Sequence, residues 1–148
     1  MSKSKYQAAS VEMASPLSVE AAAFNRVTAA LEQCAREAVV GRLADPTQRV
    51  ERHIRLCDAV YQNSRLWIAI LDELVSPDNR LPQEMKQRLT SLGATSLTHG
   101  RKILSGQATP QLIIDINRTI LIGLAQTRDN RLSGASNGKE LAYAGGKA

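Results

Sequence analysis

The sequence predicts an all-α protein, a compact bundle of about four helices with a tight hairpin between the second and third and flexible termini. Two observations lead there. From Ser15 to Leu124 apolar residues recur at threes and fours, the spacing that places them on one face of a helix. The patterned segments are divided by proline-bearing breaks at Asp45-Pro46, Pro77 to Pro82 and Thr109-Pro110, where helices start or stop. A chain of 148 residues fits one domain and can bury roughly two thirds of the surface its unfolded form exposes, enough for a core without metal or disulfide staples.

Each element has its own signal. Residues 1 to 14 are polar and without period, a flexible leader ahead of a helical domain over 15–128. Ser15-Pro16 introduces a first helix to about Leu43, with Val19, Ala23, Phe24, Val27, Leu31, Cys34 or Ala35, and Ala38 on its apolar face. Asp45 can cap the second: Pro46 supplies the preset first-turn torsion, and Gln48 stands where a capping-box partner belongs. That helix should run to about Val75 with one buried face through Val50, Ile54, Cys57, Val60 or Tyr61, Trp67, Ile70 or Leu71, and Leu74.

Pro77-Asp78-Asn79-Arg80-Leu81-Pro82 is the stiffest piece. Its prolines fix their own torsions, and Asp78 and Asn79 can bond neighbouring amides in an Asx-type turn. Pro82 can open a third helix with Met85, Leu89, Leu92 and Ile103 on the core face, glycines at 93 and 100, and an end signal at Gly106. The fourth, from Thr109-Pro110 through the isoleucine run to Leu124, is apolar nearly all round, so it is buried on several sides or lends a face to a partner. Residues 129 to 148 are glycine- and serine-rich and read as a disordered tail.

Composition removes several function classes. No run of 18 apolar residues exists and the first residues lack a signal peptide's apolar core, so a cytoplasmic protein without membrane insertion is expected. The net charge of +5 is not gathered into a stripe: no five-residue block of like charge appears, and Trp67, Phe24, Tyr6, Tyr61 and Tyr143 are too scattered for a base-stacking platform. Direct RNA binding is therefore not favoured. Cys34 and Cys57 suit small apolar positions in a reducing compartment. His53 and His99 have no ligand partner at metal spacing, and Asp72-Glu73 point to diverging helix faces, so neither a metal nor a cofactor nor an enzyme is expected.

What remains are polar residues inside apolar helices: Arg65 before Leu66-Trp67, Asp72 after Leu71, and Asn117-Arg118 within the isoleucine run. Either they pair across the bundle, Arg65 with a carboxylate and Asn117 with a backbone carbonyl of the hairpin, or they contact a partner helix. The second reading puts Ile114, Arg118 and Leu121, spaced at four and three on one face, at the border of a contact that includes Asn117. The hairpin corner at Asn79 is then a second edge, and the Tyr6 leader the fallback.

These residues in this order resemble the flagellar biosynthesis regulator FlaF family of alphaproteobacteria. The resemblance rests on Asn63, Arg65-Leu66-Trp67, Asp72, Leu74, Ser76-Pro77, Asn79 and Leu81-Pro82, then Ser91-Leu92-Gly93, then Ile116-Asn117-Arg118 and Gly123-Leu124. Upstream, Tyr6, Ser15-Pro16, Glu20, Phe24 and Leu31 echo its leader and first helix. After Gly93 the family usually continues with large apolar residues, whereas this chain has Ala94-Thr95-Ser96. The resemblance gives Arg65, Trp67, Asp72, Pro77, Pro82, Ser91 and Gly93 a structural or binding role. It also implies a function: a flagellin-binding export chaperone that regulates flagellin production, or alternatively a post-transcriptional regulator of flagellin synthesis acting with FlbT. The partners implied are flagellin and FlbT.

Overall fold

The computed structural model of the chain describes residues 21–40 and 45–126. Leader and tail lie outside that range, as do Tyr6, the expected start at Ser15-Pro16 and Val19. Four helices and no strand occur among the described residues: α1 (Ala21–Val40), α2 (Pro46–Val75), α3 (Gln83–Leu104) and α4, residues 111–126.

Their ends follow local chemistry. Asp45, in an extended conformation, accepts the Gln48 amide at 2.8 Å, and Pro46 is the first residue of α2. At the other end Ser76 caps α2, its hydroxyl accepting the Asp78 amide, while the Asn79 carboxamide oxygen accepts the Leu81 amide at 3.0 Å. Lys86 Nζ donates to the Asn79 carbonyl at 2.8 Å, tying the corner to the first turn of α3. Asn79 thus makes the Asx-type turn; at Asp78 it is the backbone amide that is engaged. Gly106, with φ of 77°, ends α3: its amide reaches the Ile103 carbonyl and the Gln107 amide the Lys102 carbonyl, the paired bonds of a Schellman motif.

Cross-helix contacts fix an up-down-up-down order. Gly100 lies against Val60 and Gly93 against Trp67 and Leu71, so α3 runs antiparallel to α2. Phe24 meets the edge of the Trp67 ring, with centroids 6.0 Å apart, and Glu37 pairs with Arg55 at 3.0 Å, so α1 is antiparallel to α2 as well. The core has two apolar clusters. One gathers Phe24, Trp67, Ile70, Leu74, Leu89 and Ile116; the other Leu31, Ala59, Val60, Ile103, Ile113 and Ile114.

One expectation for α2 needs correction. Val50 and Ile54 do not share the buried face with Trp67 and Leu74; both are exposed, and so is Tyr61. The helix carries two apolar arcs, and periodicity alone does not separate them. Ala38 of α1 and Met85 of α3 are also exposed, each near the end of its helix.

Candidate functional site

The polar residues inside the helices assemble into a buried chain of hydrogen bonds. Trp67 Nε1 donates to Asn117 Oδ1 at 3.0 Å, Asn117 Nδ2 to Asn63 Oδ1 at 2.8 Å, and Asn63 Nδ2 to Ser96 Oγ at 2.9 Å. All four side chains are fully buried. Thr28, between Phe24 and Leu31 on α1, is buried at the same level, and its hydroxyl has no partner among the described residues. Each of the four helices thus places a buried polar side chain, Thr28, Asn63, Ser96 or Asn117, between the two apolar clusters, and the last three of these are hydrogen-bonded to one another.

This layer corrects two expectations. Asn117 bonds to side chains of α2, not to a hairpin carbonyl. Among the described residues Arg65 forms no ion pair with a carboxylate; its guanidinium lies over the exposed Tyr61 ring, 5.9 Å from the centroid. The small Ser96, in the stretch that departs from the family's usual large residues, is the acceptor that ends the chain. Sequence reading missed the Asn63–Ser96 contact, since its members are far apart in the chain and each is an ordinary helix residue alone.

The face expected on α4 is occupied from within. Ile114 is 2% exposed and belongs to the cluster containing Leu31, while the partly buried Leu121 packs on the cluster containing Phe24. Arg118 is exposed, and its guanidinium donates to Glu32 of α1, from Nε at 2.9 Å. Ile114, Arg118 and Leu121 do share a side of α4, but that side turns toward the core and toward Glu32 of α1; neither Ile114 nor Asn117 presents a surface. Apolar exposure on α4 falls instead at Leu112 and Ile122.

The other motif residues divide between surface and packing. Asp72, Pro77, Pro82 and Ser91 are exposed and Asn79 half-buried in its turn. Gly93 is buried because a Cβ there would come within 2.9 Å of Leu71 Cδ2 and 3.0 Å of Trp67 Cε3. A second feature that sequence reading missed is an exposed row on α2, formed by Ile54, Tyr61, Ile68 and Val75. Its signal was the seven-residue recurrence, concealed by the buried arc beside it.

Reactive groups stay apart. His99 meets the Thr109 carbonyl oxygen at 3.2 Å and His53 the Cys57 sulfur at 3.5 Å. Burial, and then the nearby Glu37 carboxylate, push the Cys34 thiol above its ordinary value, which lowers its thiolate fraction. The hydrogen bond from Arg55, followed by that from Gln33, holds Glu37 below the usual carboxylate range. Among the described residues no three metal-ligating side chains come together, and no helix is long and apolar enough to cross a membrane.

Comparison with curated proteins and with solved structures found no match. A family model described as flagellar protein FlaF matches residues 2–124, a span that takes in all four helices except the last two residues of α4. The chain belongs to the FlaF family of flagellar proteins.

Proposed function

We propose that this chain is a non-enzymatic helical binding protein that holds flagellin before export and, through how much of it is occupied, regulates flagellin production. The observation that carries this reading is the family match across the whole bundle, which makes it a flagellar protein. The fold is compatible with such a task. A helical bundle with apolar side chains left exposed at helical spacing can cover the apolar helices of an unassembled subunit, reading anchors at matching intervals. Regulation follows by mass action, because the free chaperone concentration falls as flagellin accumulates. FlbT is the companion through which that signal reaches flagellin synthesis.

The test is co-purification of the full chain from cells making flagellin, followed by light scattering of the complex and assay for RNA. A flagellin complex free of RNA is the expected result. RNA that survives moderate salt, with no flagellin, would replace this reading with direct action on the message, since nonspecific phosphate contacts weaken steeply as salt rises.

A further inference from the structure

The bundle uses only one of the two apolar arcs of α2. The second begins at Val50 and Ile54 and continues through Tyr61, Ile68 and Val75, which are 59%, 61%, 57%, 49% and 82% exposed. Half-buried Cys57, Ser64 and Leu71 form its inner edge, Leu71 against Gly93 and Ser64 beside Gly100. Taken in order, positions 50, 54, 57, 61, 64, 68, 71 and 75 alternate steps of four and three. That is the a/d seam of a coiled coil, here about 37 Å long at 1.5 Å per residue. An occupant that fits it along its whole length is itself a helix, because only a helix repeats its apolar ridge at the same 3.5-residue period.

The outer rim of the seam selects by charge. Glu51, Asp58 and Asp72 recur at sevens or multiples of seven, all exposed and none in an ion pair among the described residues. The fourth position of that row is Arg65, turned onto the Tyr61 ring. In a chain of net charge +5, a row of three unpaired carboxylates beside an apolar seam favours a basic flank on whatever lies there. A second copy does not match well. In the antiparallel register that sets Asp58 beside Arg65 of the other copy, Glu51 falls beside Asp72.

We propose that this outer face of α2 is the docking seam for one amphipathic helix of a partner protein, apolar at the 3.5-residue period and bearing Lys or Arg on the flank that meets Asp58 and Asp72. That flagellin supplies the helix rests on the reading above; the seam itself does not.

Two synthetic peptides of about four heptads test it, with leucine at the seam positions and differing only in lysine or glutamate on the flanks. Titrated into the full-length chain, the lysine peptide is expected to bind at least about tenfold tighter. The pair Ile54→Glu and Ile68→Glu should weaken it by at least about tenfold with circular dichroism and melting temperature unchanged. Asp58→Lys with Asp72→Lys, at exposed and unpaired positions, should reverse the preference; this arm decides the matter alone if the isoleucine variant unfolds. Equal affinity for both peptides, or undiminished binding by a folded isoleucine variant, overturns the proposal. So does a wild-type dimer that Ile54→Glu and Ile68→Glu dissociates, which would give the seam to a second copy. Co-expression with flagellin separates the two readings. Capture by the wild type and by the isoleucine variant alike keeps flagellin binding and removes the seam from it. A peptide preference without flagellin capture keeps the seam and removes flagellin.

Discussion

Trp67 sets the polarity of the buried chain, because an indole N–H can only donate. Asn117 must turn its oxygen to Trp67, so its nitrogen faces the oxygen of Asn63, whose nitrogen in turn faces Ser96. Asn117→Ala leaves the Trp67 donor and the Asn63 oxygen without partners in the core, at roughly 1–3 kcal/mol each. A loss of about 2–6 kcal/mol is expected in urea unfolding. The adjacent Arg118→Ala breaks only a surface pair with Glu32 and should cost about 0–1 kcal/mol. Equal losses at the two positions would show that the buried chain contributes no more than an exposed ion pair. Thr28→Val removes a buried hydroxyl that has no partner and should stabilise by about 1 kcal/mol in the same assay. Destabilisation there would mean that the hydroxyl is bonded in solution. Nothing in the dipeptide Asn117-Arg118 foretells so large a difference in cost, since it comes from which side of α4 each residue occupies.

Element boundaries were legible because their causes are local. Asp45-Pro46, Ser76 with Asn79, and Gly106 each act on backbone groups within a few residues, so the ends of α2 and α3 could be named from the sequence. The facing of α2 was not legible, since both its arcs repeat at helical intervals and only the helices packed against it choose between them. The two glycines of α3 show what that choice demands. Gly93→Ala gains up to about 1 kcal/mol of helix propensity. It also places a methyl 2.9 Å from Leu71 Cδ2 and 3.0 Å from Trp67 Cε3. Leu71 can yield, but the Trp67 ring is held by its bond to Asn117, so overpacking of roughly 1–3 kcal/mol should win and the melting temperature fall. At Gly100 the nearest atom is Val60 Cγ1 at 3.2 Å, which needs a shift of only a few tenths of an ångström. Gly100→Ala should therefore be close to neutral. If both substitutions stabilise, α2 and α3 lie farther apart than this packing requires.

At the scale of the whole molecule, the burial of Ile114 and Asn117 on the candidate face of α4 has a cause that no local pattern contains. Ile114 shares an apolar cluster with Leu31 of α1, and Arg118 pairs with Glu32 across a sequence separation of 86. The same long-range order gives the polar layer its meaning. Two apolar clusters joined by uniformly apolar helices could slide by a turn at little cost, whereas the hydrogen-bonded chain of Trp67, Asn117, Asn63 and Ser96 across α2, α3 and α4 is satisfied in a single register. Replacing Asn63 and Asn117 together with leucine removes both amides while keeping the site filled, so the loss of stability is offset by added apolar burial even though Trp67 loses its acceptor and Ser96 its donor. The expected outcome is a chain that stays helical in far-ultraviolet circular dichroism but loses the near-ultraviolet signal of Trp67, its one tryptophan, and binds a hydrophobic dye, as alternative registers become populated. A variant that keeps a sharp near-ultraviolet spectrum and a cooperative transition would show that the shapes of the two apolar clusters set the register without help from the polar layer.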